Sequence, residues 1–241
     1  MVAITIVVSF HSCQQRLVVL QHQPPLSRRL ALDAAVRGWA NRERQRSVLA
    51  MVVDVEVVEA DLAAGRLRCP GCDGPLARWG FARERQVRTL QGTRSIRPRR
   101  ACCGRCEVTH VLLPAWAVPR RRDDAEVIGS ALLDQARGLG HRRIAGRLGR
   151  PPGTVRGWLR ALAARAERIS ASARRWTGAI DAHELDRSAR HGTPTADAVD
   201  ALGVLARACR LQLRMRASPW ELAVLFTGLL HGRPRDPPPG F

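Results

Sequence analysis

Two pairs of cysteines constrain this chain of 241 residues more than any other feature. Cys69 and Cys72 form one C-x-x-C pair, and Cys103 and Cys106 form a second pair after 30 intervening residues. A tight turn can offer two thiolates to a metal, and two such turns flanking a hairpin bring four sulfurs to the corners of a tetrahedron. The spacing therefore predicts a zinc ribbon with one structural Zn²⁺ ion. Since sulfur would take all four positions, we expect no metal-bound water and no hydrolytic zinc chemistry.

Other residues near the cysteines leave alternatives open. Cys102 is adjacent to Cys103, but only Cys103 gives the C-x-x-C spacing, so we interpret Cys102 as a bystander. His110 is a substitute ligand in one interpretation and a surface histidine in the favoured one. A ribbon that keeps its cysteines without binding metal is a further alternative. A thioredoxin-like redox pair needs a βαβ context that the sequence lacks.

The basic residues are unevenly distributed along the chain. The net charge is +19, and all 40 basic residues are arginine. Residues 66–122 hold 14 arginines against three acidic residues, and residues 137–175 hold 11 against Glu167 alone. Two such windows predict a polyanionic partner, because release of condensed counterions drives binding to a duplex. A GC-rich genome explains the choice of arginine over lysine equally well, but not the excess of basic over acidic residues.

A second motif, from Leu139 to Arg160, has the pattern of a helix-turn-helix. Gly149 allows the turn, and Pro151 and Pro152 begin the next helix, where the missing proline N–H has no partner to lose. Apolar residues at helical spacing predict the packed inner face: Ile144, Ala145, Leu148, Val155, Trp158, Leu159 and Leu162.

The outward face of this motif carries the candidate DNA contacts. The start of the second helix of such a motif meets base edges in the major groove, and arginine reads guanine with two hydrogen bonds. Arg156 is the best candidate for a base contact, with Thr154 and Arg160 on the same face. Arg142, Arg143 and Arg147 are expected to contact phosphates. The alternative is a helical hairpin with a solvated arginine face.

The two motifs together resemble uncharacterised actinobacterial proteins that join a zinc ribbon to a helix-turn-helix. Those proteins look like the N-terminal DNA-binding part of insertion-sequence transposases and integrases. The resemblance covers roughly residues 51–165. It rests on Cys69-Pro-Gly-Cys72, on Cys103 and Cys106 with Val-Thr-His-Val-Leu-Leu-Pro after them, and on the stretches 140–145 and 154–159. It implies DNA binding. The family often has glycine where this chain has Asp73 and Glu107.

These motifs predict a mainly α-helical chain with a small β zinc ribbon. We expect the ribbon over residues 51–118, a homeodomain-like three-helix unit with the helix-turn-helix over 123–175, and a C-terminal helical segment with a frayed tail over 176–241. Residues 1–50 form a leader for which an over-extended start and an ordinary extension are both open interpretations.

The local signals predict individual elements as well. They favour a strand over Met51–Glu59 that passes into a short helix stopped by Gly65, strands over 76–90 and 93–100, and a helix capped by Asp123. They favour a third helix that continues to about Arg175, an irregular stretch over 178–193, and a final helix with Ser218 and Glu221 as its capping box.

Catalysis is not expected. Asp181, Glu184 and Asp186 lie close together in sequence, but an RNase H-like nuclease domain needs far more chain than the 66 residues after Arg175. We therefore predict a double-stranded DNA partner and a cytoplasmic, nucleoid-associated protein without a membrane span. A homodimer is a further hypothesis, because one helix-turn-helix reads a half-site. A mobile-element accessory with a separate transposase partner and an RNA- or protein-binding ribbon are the alternatives.

Overall fold

The computed structural model describes the backbone of residues 5–10, 17–20, 47–51, 55–230 and 237, and the side chains of residues 58–230 and 237. These residues divide into two compact units. The first lies within residues 1–85 and 96–114, and the second within 86–95 and 115–241. Helices make up about half of residues 55–230, and a small sheet accompanies them. No helix in the described part of the chain has both the length and the apolar character needed to cross a bilayer.

One sheet organises the first unit. Its strand order is β2-β1-β3-β8-β7-β4, and neighbours pair antiparallel except β3 and β8, which run parallel. Two further short strands, β5 and β6, pair with each other. The strands are β1 (Thr5–Phe10), β2 (Leu17–Leu20), β3 (Ser47–Met51), β4 (Leu76–Phe81), β5 (Arg85–Arg88), β6 (Thr93–Ile96), β7 (Arg99–Cys103) and β8 (Thr109–Pro114).

The strand predicted over Met51–Glu59 is wrong over most of its length, whereas the short helix predicted before Gly65 is confirmed. Strand β3 ends at Met51, and helix α1 (Val55–Ala63) begins four residues later. Val58 and Leu62 lie four residues apart, so one face of a helix carries both into the core beside Leu67 and Leu76. Packing at helical spacing outweighs the β preference of the valines. The parallel pairing of β3 with β8 brings part of the predicted leader into this sheet.

The two long strands predicted between the cysteine pairs are each broken in two. The register of β4 against β7 shifts between Arg78 and Phe81, where Gly80 adopts a φ of +87°. Ala82 N–H then donates to Pro98 O at 2.7 Å, and Pro98 itself has no N–H to continue the ladder. The bulge and the proline therefore separate β4 from β5 and β6 from β7.

The second unit is helical apart from the β5–β6 hairpin. The first of its helices begins one residue later than predicted: Asp124, not Asp123, is the N-cap and accepts a hydrogen bond from Val127 N–H at 2.8 Å. The helices are α2 (Ala125–Ala136), α3 (His141–Leu148), α4 (Pro152–Ala163), α5 (Ala166–Ile180), α6 (Ala182–Leu185), α7 (Pro194–Gln212) and α8 (Pro219–Thr227).

The third predicted helix is two helices in the structure. Helix α4 ends at Ala163, and α5 starts after Arg165, whose φ of −129° leaves the helical range. Helix α5 continues to Ile180 and α6 follows, so the stretch 178–193 is less irregular than expected. The capping box of Ser218 and Glu221 on α8 is confirmed, although α8 ends at Thr227 and not at Leu230. The predicted tail, 232–241, lies almost wholly outside the described residues.

Large side chains fill the core of the second unit. Trp176 on α5 and Phe226 on α8 meet edge to face with ring centroids 4.9 Å apart, and both are fully buried. A Cβ at Gly129 on α2 would lie 2.0 Å from the Trp220 ring, so glycine is required where α8 crosses α2. These contacts pack α8 against both α5 and α2.

Candidate metal centre and nucleic-acid interface

The two C-x-x-C segments fold into matching turns. Asp73 N–H donates to Cys69 O at 2.8 Å, and Glu107 N–H donates to Cys103 O at 3.0 Å. The N–H of the first cysteine in each pair also donates to the carbonyl oxygen five residues later, from Cys69 to Gly74 and from Cys103 to Val108. Equal hydrogen bonding in both turns orients both pairs of sulfurs alike, as predicted from the spacing.

The four cysteine sulfurs converge. Cys69, Cys72, Cys103 and Cys106 each place Sγ within 4.8 Å of the other three. Cys69 Sγ lies 3.6 Å from Cys106 Sγ, and Cys72 Sγ lies 3.4 Å from Cys103 Sγ. Sulfurs bound at about 2.3 Å to a tetrahedral ion lie about 3.8 Å apart. The cluster therefore has the size of a four-thiolate metal site and could bind one metal ion.

The backbone around the sulfurs leaves no spare room. A Cβ on Gly74 would lie 2.8 Å from Cys103 Sγ and 2.6 Å from Arg105 Cβ, so the close approach of the two turns requires glycine there. Asp73 and Glu107 both have positive φ, 57° and 58°, at equivalent places in the turns. A left-handed residue thus follows each C-x-x-C pair, a conformation that glycine would adopt without strain.

The structure agrees with the sequence-based interpretation of one neighbour of the cluster, Cys102, and disagrees with that of the other, His110. Cys102 is outside the four-sulfur group and points its thiol toward Glu107 O at 3.5 Å, which agrees with its assignment as a bystander. His110 is not the surface histidine that was favoured. It is fully buried on β8, and its Nε2 lies 3.4 Å from Cys69 Sγ, within hydrogen-bonding distance of that sulfur.

The protein environment sets the acidity of the thiols unequally. Burial raises the pKa of Cys69 far above its usual range and raises that of Cys72 to about 11. Burial acts on Cys103 too, but N–H groups of Cys106 and Arg105 donate to its sulfur and lower its pKa overall. A metal ion binds thiolates and releases their protons, so binding here is coupled to pH.

Helices α3 and α4 form the second candidate site. The predicted inner face is confirmed: the seven apolar residues named for it are all buried. Gly149 between the helices has a φ of 60° and ends α3 in the left-handed conformation. Trp158 is 1% exposed, so it belongs to the core and offers no ring to a base.

The predicted DNA-contacting residues fall into two groups. Arg142 and Arg143 on α3 and Arg156 and Arg160 on α4 are exposed, and Thr154 is partly exposed. Among residues 58–230, none of these four arginines is paired with a carboxylate. Arg147 is different, because its guanidinium is held by Asp134 at 2.5 Å. Its side chain is already neutralised, which makes it a weaker phosphate contact than the sequence suggested.

An ion-pair network that the sequence did not reveal lies beside the turn between α3 and α4. Asp123 is 2% exposed and accepts from Arg88 Nη2 and from Arg150 Nε, both at 2.6 Å. Arg150 also donates to Thr89 O and to Leu148 O. One buried carboxylate thus ties the β5–β6 hairpin to the turn. The participants are up to 62 residues apart, and no local pattern indicates their contact.

Two of the three carboxylates considered for catalysis have structural partners. Asp181 caps α6 by accepting from the N–H groups of His183 and Glu184, and it accepts from Gln212 as well, which lowers its pKa. Glu184 is 7% exposed and pairs with Arg187 and Arg207 at 3.3 and 3.1 Å. These contacts stabilise α6 against α7.

Comparison with known proteins adds one match. A family model described as a domain of unknown function (DUF6431) matches residues 69–144. The match begins at the first cysteine of the metal cluster and ends within α3, so it covers less than a third of the chain. No curated protein and no solved structure gives a significant match.

Proposed function

We propose that this chain is a zinc-stabilised helix-turn-helix protein that binds duplex DNA through α4. Zn²⁺ is the metal that fits the cluster best, since four thiolates in tetrahedral array suit zinc and leave no open position. One ion held by Cys69, Cys72, Cys103 and Cys106 would fix both turns of the ribbon. The role of the metal is structural.

The helix-turn-helix assignment rests on α2, α3 and α4. A left-handed Gly149 joins α3 to α4, and their buried faces pack on each other and on α2. In a motif of this kind the second helix of the pair enters the major groove with its first turns at the base edges. Helix α4 begins at Pro152, so Thr154 and Arg156 lie in its first two turns, where contacts to base edges are expected.

The observation that carries the proposal is the state of the arginines on α3 and α4. On α3 and in the turn that follows it, Arg147 and Arg150 are paired with Asp134 and Asp123. Arg142, Arg143, Arg156 and Arg160 are exposed without such partners, on adjacent helices. An uncompensated cationic face of this kind favours a polyanion. We assign Arg156 to a base contact. The phosphate contacts are assigned to Arg142, Arg143 and Arg160, with a minor contribution from Arg147.

Titration of labelled duplex DNA at two salt concentrations tests this proposal, after selection of a preferred site from random duplexes. Arg143→Ala should weaken binding to all sequences and lower the slope of log K against log salt by about 0.9. Arg156→Ala should cost about tenfold on the preferred site and less on random duplex. Arg190→Ala, which removes an exposed arginine outside α3 and α4, is the matched control. Equal effects of all three variants would contradict the proposal.

Metal content supplies the second arm of this test. Purified full-length protein should contain one zinc ion per chain, and Cys69→Ser should lower that content where Cys102→Ser does not. Size-exclusion chromatography with and without a palindromic site tests whether two copies are needed, as expected if one α4 helix reads a half-site.

A further inference from the structure

Two exposed aromatic side chains lie on an edge strand of the first unit. Trp79 is 57% exposed and Phe81 is 48% exposed, and both belong to β4, the last strand of the sheet. Among the described residues only Leu90 and Leu211 are other large apolar side chains of comparable exposure. An indole exposed to that degree adds little to the core of its own unit.

The backbone holds these aromatics in a fixed place. The register shift between Arg78 and Phe81 is a bulge that contains Trp79 and Gly80, and a bulge of this kind re-aims the side chains it carries. Arg99 Nη1 donates to Gly80 O at 2.9 Å, and Ala82 N–H donates to Pro98 O at 2.7 Å. Hydrogen bonds on both sides of Phe81 keep the bulge from fraying.

Two arginines lie against the ring of Phe81. The guanidinium carbons of Arg99 and Arg97 lie 4.5 and 5.2 Å from the centroid of the Phe81 ring, at cation–π distance. Glu59 is shared between Arg78 and Arg99, at 3.0 and 2.7 Å. One carboxylate thus serves two arginines, and neither Arg83 nor Arg97 has a carboxylate partner among residues 58–230. The surface is therefore both aromatic and cationic.

We propose that this aromatic–arginine patch, comprising Trp79, Phe81, Arg83, Arg97 and Arg99, binds single-stranded DNA. A base stacks on Trp79, and Arg83 and Arg97 pair with the adjoining phosphates. In a duplex both faces of each base are covered by its neighbours, so an exposed indole finds a free base face only on an unpaired strand. The Phe81 ring is already in contact with the guanidinium groups of Arg97 and Arg99, so its role is to position these two groups.

Fluorescence anisotropy of a labelled thymidine strand of about 12 nucleotides tests the patch with the full-length chain. An abasic strand of the same length, with the same phosphates and no bases, is the matched ligand. Trp79→Ala should weaken binding to the thymidine strand by about tenfold and leave the abasic strand unchanged. Trp79→Phe should keep most of the affinity, and Leu211→Ala, which removes another exposed apolar side chain, should change neither.

Arg83→Ala separates the phosphate contact from stacking. It should lower the salt slope by about 0.7 on both strands, whereas Trp79→Ala leaves that slope unchanged. Zinc content and far-UV circular dichroism of each variant show that the fold is retained. Equal losses on thymidine and abasic strands with Trp79→Ala, or no loss on either, would overturn the proposal. Tenfold tighter binding of a uridine RNA strand would overturn the assignment to DNA.

This proposal and the duplex-binding proposal can fail separately. Arg156→Ala should weaken the preferred duplex while the preference for thymidine over abasic strand persists. Trp79→Ala should leave binding to the preferred duplex unchanged and remove the preference for the thymidine strand over the abasic strand. A protein that binds the duplex but shows no preference for thymidine over abasic strand would overturn only the patch. Loss of duplex and thymidine binding to the same extent in Trp79→Ala would also overturn it, because Trp79 would then belong to the duplex surface.

Discussion

The two units of this chain are stabilised by different means. In the first, the cluster of buried apolar residues has eight members, and two of them are the cysteines Cys69 and Cys103. In the second, Trp158, Trp176 and Phe226 are all at most 1% exposed and are surrounded by helices. Among the described side chains of the first unit, cysteines thus make up a quarter of this cluster, so a bound metal would add directly to its stability. We therefore expect the stability of the first unit to depend on metal supply and that of the second to be independent of it.

Removal of the metal is the largest change that this comparison predicts. Structural zinc sites contribute apparent binding free energies of about 10–16 kcal/mol, more than a unit of this size has in total. A zinc chelator should unfold the first unit, and trypsin should then cleave rapidly after arginines between residues 66 and 105. The helical signal at 222 nm should fall only slightly.

The matched control is Cys102→Ser, which keeps all four cluster cysteines. It should resist trypsin before chelation and lose that resistance on chelation, as the wild type does. If the helical signal collapsed together with the ribbon, the two units would unfold as one, and their stabilities would not be independent.

The converse change is a cavity in the helical core. Trp176→Ala removes a fully buried ring and its edge contact with Phe226, at a cost of about 3–5 kcal/mol in the free energy of unfolding. Guanidinium denaturation followed at 222 nm measures this loss, while zinc content should stay at the wild-type level. Leu211→Ala, at a side chain that is 54% exposed, should change the same free energy by less than about 0.5 kcal/mol.

Asp123→Asn tests the network within the second unit. Neutralising this carboxylate leaves Arg88 and Arg150 without their common partner, but Arg88 is 36% exposed and water recovers part of the loss. We expect a cost of about 2–3 kcal/mol in denaturant unfolding, together with weaker duplex binding because the turn before α4 loses its tie to the hairpin. Arg147→Ala, which breaks a half-exposed pair, should cost less than about 1 kcal/mol. Equal costs for the two variants would show that burial of Asp123 adds nothing.

In both units, features recorded in a short stretch of sequence could be predicted, and contacts between distant segments could not. The metal cluster was predictable because two short motifs contain all four ligands and the turns that orient them. The inner faces of α3 and α4 were predictable because apolar periodicity records burial directly. Contacts between distant segments leave no such record. The Asp123 network was therefore missed, and His110 was interpreted as a surface residue although it is buried beside Cys69.

The break between α4 and α5 was missed for a related reason. Buried residues continue at helical spacing across it, with Leu162 followed four residues later by Ala166 and then by Ile169. No glycine or proline stands at Ala164 or Arg165 to mark an end. Tertiary packing of α5 against α7 sets the break, and a local pattern does not contain that information.

The smallest predicted effects concern the backbone of the metal turns, where two neighbouring positions should respond in opposite directions. Asp73 has a φ of 57°, a conformation that costs a side-chain-bearing residue about 1 kcal/mol and costs glycine nothing. Asp73→Gly should therefore tighten metal binding slightly, by at most about fivefold in competition with a chromogenic chelator. Gly74→Ala should weaken it by tenfold or more, since the new Cβ would lie 2.8 Å from Cys103 Sγ. If glycine at position 73 weakened binding instead, the Asp73 side chain would contribute to the site beyond its backbone conformation.

Neither substitution touches the helical unit, so its denaturant midpoint should not move in either variant. A shift there would mean that the two units are coupled through the metal turns.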